Sequence, residues 1–194
     1  MKAPVSASAA LGDPRDQLAD HLPSLRAFAI SLTRNMASAD DLVQDTVVKA
    51  WTNIDKFEAG TNLQAWLFTI LRNTFYSDRR KLRREVADPD GIHAESLFVR
   101  PDHDGKLAFT EFRRAFDQLT PEHREVLVLV GASGFSCDEA AKMMGVASGT
   151  VKSRASRARK RLADLMGLAE GEEVLGHIDG QTMSIMGRSG MQAA

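Results

Sequence analysis

Lys152, Ser153, Arg154, Ser156, Arg157 and Lys160 stand within one short segment that no acidic residue interrupts between Glu139 and Asp164. At about 100° per residue, Val151, Ala155, Ala158, Leu162 and Leu165 form one narrow apolar stripe, and the cations and hydroxyls project away from it. Arg and Lys on a helix face donate to guanine O6 and N7 and to phosphates, which suits the major groove of duplex DNA. A merely solvated helix face usually mixes signs, and this one does not. A second cluster sets Tyr76 beside Arg79, Arg80, Lys81, Arg83 and Arg84. Aromatic rings stack on unpaired bases while neighbouring cations track the backbone, so this group fits a single-stranded nucleic acid. A third places Asp41, Gln44 and Asp45 on one helical face. Asp41 and Asp45 repel each other at i,i+4, and a cationic partner surface would remove that conflict. Asp40 and Asp41 also have a local reason to be there, since carboxylates in a first turn complement the helix dipole by roughly 0.3–1 kcal/mol.

Catalytic chemistry finds no foothold. The chain carries no nucleophilic triad, phosphate-binding glycine loop or zinc motif, and His21, His93, His103, His123 and His177 have no metal-ligand spacing. They are read as non-catalytic, and the chain as neither an enzyme nor a holder of cofactor or metal. The single cysteine, Cys137, excludes an internal disulfide and a cysteine-rich zinc site. A net charge of −1 conceals basic clusters set apart from the acids, an asymmetry that permits nucleic-acid binding without an overall basic protein. No apolar run is long enough for a membrane span and the first eleven residues lack a signal peptide's pattern, so a cytoplasmic protein is expected.

The elements that must position these groups are all helical. Ser136 and Glu139 have capping-box spacing, Gly145 suits a left-handed stop, and Ser148 is a second candidate N-cap three residues later: a helix-turn-helix. Earlier, Asp13-Pro14 reads as a helix start and Pro23 as a break or restart. Ser38 and Asp41 open a helix with Leu42, Val43, Thr46, Val47, Ala50, Trp51 and Ile54 facing inward. A long helix follows the glycine-containing turn at 57–61, from Asn62 to about Arg84, with Leu63, Trp66, Leu67, Ile70, Leu71 and Phe75 as its apolar side. Trp66 is read as core. Periodicity then fails through 85–105, where DPDG and PDHDG are turn chemistry. It resumes with Leu107, Phe109, Phe112, Phe116 and Leu119, and Thr120-Pro121 caps a helix whose Val126, Leu127, Leu129 and Val130 lie beneath the helix-turn-helix.

With 194 residues, 43% of them apolar, two small cores are favoured over one. The expected architecture is all-α: an N-terminal tail (1–13), a helical domain (14–86), a flexible linker (87–105), a second helical domain with the helix-turn-helix (106–166) and a flexible tail (167–194). In that tail Ile178, Met183, Ile185 and Met186 form a short amphipathic segment.

DLVQDTVVKAW (41–51), NLQAWLFTILRNTF (62–75), the linker, LTPEHREVLVLV (119–130) and GTVKSRASRARKRL (149–162) stand in an order that resembles the extracytoplasmic-function sigma factors. The resemblance covers about 14–165. FEAGTNLQAWLFTILRNTFYSDRR (57–80) and VLVGASGF (128–135) further resemble the alphaproteobacterial general-stress subgroup called EcfG. It implies a first domain that docks on the basic clamp coiled coil of RNA polymerase through Asp41, Gln44 and Asp45. Asn73 matches the position beside the pocket for a flipped −10 base, and the turn at 57–62 matches the loop specific for that element. Tyr76, Arg79 and Arg80 would hold the unpaired strand. Lys152, Ser153, Arg154, Ser156, Arg157 and Lys160 lie on the helix matching the one that reads a GGAAC-like −35 element. Ser156 stands where some relatives carry an aromatic, so no apolar base contact is implied there. Partners implied are core RNA polymerase, promoter DNA and a small anti-sigma factor of the NepR type, with no small-molecule substrate. Two rival readings remain open, a stand-alone helix-turn-helix repressor and a sigma-like mimic that sequesters an anti-sigma factor.

Overall fold

The computed structural model describes residues 13–85 and 105–168, and every regular element among them is helical. The expected tails and most of the linker, with His93, His103, His177 and the 178–186 segment, lie outside the described residues. Asp13 accepts from the Arg15 N–H (2.9 Å) and opens a short 3-10 turn, Pro14–Gln17, followed by another, Ala19–His21. Helix α1 (Leu22–Thr33) starts with Pro23 in its first turn, where a missing N–H costs nothing. It stops at Arg34 in the left-handed conformation (φ 58°).

Helix α2 (Met36–Thr52) begins earlier than Ser38 and Asp41 suggested, because Asn35 is its N-cap and accepts from the Ser38 N–H at 2.9 Å. Leu42, Thr46 and Ala50 face inward as expected, but Trp51 does not; it is 55% exposed, with the Arg15 guanidinium over its ring. After the Ile54–Lys56 turn, Asn62 caps α3 (Leu63–Glu85) by accepting from the Ala65 N–H. The second region holds α4 (Gly105–Asp117), α5 (Pro121–Val126, capped by Thr120), a π-helical turn (Leu127–Ala132), α6 (Cys137–Met144) and α7 (Ser148–Met166). Ser148 is not the N-cap of α7 but its first residue, after Ala147; its buried hydroxyl has no partner among the described residues.

The two regions exist, but their cores are continuous. Leu25, Phe28 and Leu32 of α1 and Leu67, Phe68 and Leu71 of α3 join Val126, Leu129, Phe135, Met143 and Val151 in one buried cluster. Phe68 makes the join visible. It stacks on Phe28 within the first region (centroids 4.8 Å) and meets Phe135 of the second edge-on (5.4 Å, 71°). Full burial of each such ring contributes roughly 1.5–3 kcal/mol. The reason two small cores merge is surface: each three- or four-helix unit leaves an apolar face that it cannot cover alone. A smaller cluster of Ala115, Leu119 and Leu162 fixes α4 to α7.

Candidate nucleic-acid interface

The helix-turn-helix is built as its residues dictate. Ser136 Oγ accepts from the Glu139 N–H (3.2 Å) while the Glu139 carboxylate accepts from the Ser136 N–H (2.9 Å), a complete capping box. These hydrogen bonds hold the Glu139 carboxyl below its ordinary pKa. Gly145 ends α6 at φ 65°, a conformation that costs glycine little, and lets the chain turn at once into α7. Val151, Ala155, Ala158 and Leu162 of α7 are buried, and the two alanines allow a close approach to the rest of the region. Lys152, Ser153, Ser156, Arg157 and Lys160 are exposed together on the opposite side. Arg157 lies back along the helix, donating from Nε to the Ser153 carbonyl (3.2 Å). Arg154 differs from them; it is half-buried and near enough to Glu125 to oppose slightly the rise that burial gives that group's pKa.

On the first region, Asn73 is exposed on α3 and opens onto a pocket of about 390 Å³ walled by Trp66, Lys49, Lys56, Thr74 and Ser77. Lys49 Nζ donates to Thr74 Oγ1 (3.0 Å), and Phe57 from the preceding turn packs against Trp66 (5.4 Å). Trp66 is therefore half core and half wall, where the sequence reading preferred core to a stacking platform. The open cavity thus presents an indole face, the amides of Asn53 and Asn73 and two ammonium groups. Arg79 and Arg80 are exposed further along α3, Arg79 lying over the Phe75 ring at 5.5 Å.

Tyr76 is not with them. Its ring lies under the Arg72 guanidinium (4.8 Å), and its hydroxyl donates to Glu125 Oε2 of the second region at 2.8 Å. Arg72 Nε donates to the other oxygen of the same carboxylate. Glu125 is fully buried, and that burial raises its pKa against the opposing pull of Arg72. Burial and the Glu125 carboxylate likewise raise the Tyr76 phenol above its ordinary value. Beside it Arg124, 4% exposed, donates to the Ser31 carbonyl (2.6 Å) and to those of Leu32 and Leu119. Its charge thereby caps the C-terminal end of α1 from the other region. Sequence reasoning passed over Arg72, Arg124 and Glu125. The available signal was Glu125, four residues before Leu129, on the buried stripe of its own helix.

Asp41, Gln44 and Asp45 are exposed along α2, and neither carboxylate is paired among the described residues. Asp40 is different in kind. Arg26 grips it through two hydrogen bonds (2.6 and 3.1 Å), which hold its carboxyl below the usual range. The outward face of α2 continues from the acids into Val48 and Trp51, 65% and 55% exposed. No group of three or more His, Cys, Asp or Glu among the described residues could hold a metal ion, and no helix there is long and apolar enough to cross a membrane.

Comparison with known proteins agrees with this division. Residues 18–85 match sigma-70 region 2, and residues 109–162 match sigma-70 region 4. The chain is 52% identical over 176 residues to the ECF RNA polymerase sigma factor EcfG of Rhodopseudomonas palustris (strain TIE-1), covering 91% of this chain and 96% of that protein. It is 30% identical over 163 residues to the RNA polymerase sigma factor CarQ of Myxococcus xanthus, covering 80% and 90% respectively. Among solved structures, it resembles the sigma factor RpoE in complex with the anti-sigma factor NepR from Bartonella quintana. That match has a TM-score of 0.74 and 51% identity, and covers 82% of this chain and 100% of that chain.

Proposed function

The chain belongs to the extracytoplasmic-function sigma factors, and from that premise we propose that its three surfaces divide the work of promoter recognition. The face of α7 carrying Lys152, Ser153, Arg154, Ser156, Arg157 and Lys160 reads duplex −35 DNA. Asn73 and the pocket walled by Trp66, Lys49 and Lys56 receive a base flipped from the −10 element, and Arg79 and Arg80 hold the unpaired strand, joined by Tyr76 when it leaves Glu125. Asp41, Gln44 and Asp45 dock on a basic surface of core RNA polymerase. The observation that carries this reading is the separation of charge by surface. A face of cations and hydroxyls stands on one region, a cationic pocket and arginine run on α3, and two unpaired carboxylates on α2.

Flipping a base costs a few kcal/mol of stacking. The chain need not supply this alone, because polymerase holds both regions at high effective concentration over one promoter. The chemistry is binding throughout; no residue acts as a catalyst, and the protein works in the cytoplasm where polymerase and promoter are. The likeness to EcfG and to a sigma factor bound by NepR supports a role in general stress transcription and control by a NepR-type anti-sigma factor.

Two charge variants test the division. Arg157→Ala weakens binding to −35 duplex by about 1–3 kcal/mol if it makes a base contact and leaves core polymerase affinity unchanged. Asp45→Lys weakens polymerase binding and leaves duplex affinity unchanged. If both variants lose both activities in proportion to lost folding, the surfaces are assigned wrongly.

A further inference from the structure

The residue that joins the two regions is one that the proposed function leaves without a task. Glu125 belongs to the −35 region, yet its carboxylate accepts from Tyr76 (2.8 Å) and pairs with Arg72, both on the nucleic-acid helix α3. The carboxylate is wholly buried, and Arg72 retains only 19% side-chain exposure. Close by, Arg124 and Arg34 add further polar ties across the same seam. Arg124 binds the carbonyls of Ser31 and Leu32, and Arg34 Nη1 donates to the Asp117 carbonyl (2.9 Å).

On the proposed assignment of the two DNA-reading surfaces, this closed form is too short to span a promoter. Elements centred at −10 and −35 lie 25 base pairs apart, roughly 85 Å at about 3.4 Å per pair. Helix α7 has 19 residues and is therefore only about 28 Å long at 1.5 Å per residue. It packs on α5, whose Glu125 touches Tyr76 directly. The −35 face and the −10 helix are thus held within a few tens of ångströms of each other. Promoter binding requires the regions to part, and parting exposes Tyr76 and Arg72.

We propose that Glu125 is a built-in competitor for the −10 strand: its carboxylate occupies Tyr76 and Arg72 in the free chain, adds a polar tie to the apolar contacts that keep the two regions closed, and is displaced when polymerase and promoter draw them apart. This rests on the assignment of Tyr76 to the unpaired strand. A carboxylate is a fitting stand-in for phosphate, since both are anions that accept from a phenol and a guanidinium. Losing one polar tie of this kind shifts a two-state ratio roughly 5- to 30-fold, the range that 1–2 kcal/mol produces. A closed majority lowers apparent affinity for any partner of the open form by the open fraction. Relieving it raises that affinity by up to the same factor.

The test uses the full chain. Dyes on region 2 and region 4 report their separation in the free protein, and core polymerase binding is titrated in parallel. Glu125→Ala is expected to lengthen the separation and to tighten polymerase binding roughly 5- to 30-fold. Tyr76→Phe, which removes the same hydrogen bond from the other side, lengthens the separation too, and stands in if Glu125→Ala fails to fold. Unchanged separation in a folded variant overturns the proposal. Wild-type protein that fails to bind core polymerase refutes the sigma-factor reading instead, while the dye separation still judges the latch.

Discussion

Replacing Phe68 and Phe135 by leucine, singly and together, measures whether the two regions share one core in solution. The rings are 0% and 4% exposed, with centroids 5.4 Å apart at 71°, and an edge-to-face pair adds about 0.5–1.5 kcal/mol beyond the area it buries. Leucine is chosen because alanine would cost about 3–5 kcal/mol at each site, too much of the 5–15 kcal/mol that a domain typically has. Each single variant should lose about 1 kcal/mol, and the double variant should lose less than the sum by the coupling of about 0.5–1.5 kcal/mol. Urea unfolding followed by circular dichroism and by tryptophan fluorescence supplies the assay. Both tryptophans, Trp51 and Trp66, lie in the first region, so coincident curves report cooperative unfolding of the whole. Coupling below about 0.3 kcal/mol, the usual error of additivity, or fluorescence that melts apart from dichroism would refute a shared core.

Three further outcomes follow from particular contacts. Tyr76 is the chain's single tyrosine, so phenolate absorbance reads it alone. Burial, Glu125 and Glu122 raise its pKa above the ordinary 10 while Arg72 opposes. A raised folded pKa means that its contribution to stability is full below pH 10 and is lost as pH rises through the folded value. Alkaline titration should place the phenol well above 10 in the wild type and lower in Glu125→Ala, where burial still acts but the carboxylate does not; a wild-type value near 10 would mean that the contact is not populated. Ser136→Ala removes one half of the capping box and should lower stability by about 1 kcal/mol in thermal or urea melts, without changing the helical content of α7. Asn73→Ala should impair opening of the −10 region, measured by permanganate reactivity of unpaired thymines, while −35 duplex binding stays at the wild-type level.

Local order and burial patterns were legible because they depend on neighbours in sequence. The Ser136/Glu139 box, the stop at Gly145 and the inward stripe of α7 need only spacing and residue type. Where several candidates compete, local reasoning chose wrongly. Asn35 outcompetes Ser38 as a cap because Arg34 turns left-handed just before it, and Ala147 rather than Ser148 precedes α7. Trp51 was expected on the inward stripe of α2, but at about 100° per residue it falls on the outward side with Gln44 and Val48, where the Arg15 guanidinium lies over its ring. The stripe position of Glu125 was readable, but its partners and the burial of Arg124 were not, for a stronger reason. The burial of both residues depends on Arg72, Tyr76 and Ser31, which lie 53, 49 and 93 residues away in sequence, and charges are almost never fully buried unless paired. Apolar contacts at similar range, such as Phe68 against Phe135, make continuous two cores that composition suggested were separate. The exposed groups that α2, α3 and α7 present were legible, since helical period sets which side of a helix a residue occupies.

Directing core polymerase to promoters is the activity on which every surface assignment converges. In vitro transcription from a template with a GGAAC-type −35 element, using bacterial core polymerase with and without the chain, tests it most directly. A start-site-specific transcript should depend on added protein and fall with either Arg157→Ala or Asp45→Lys. Folded protein and competent core enzyme that yield no such transcript across a panel of −10 sequences would contradict it.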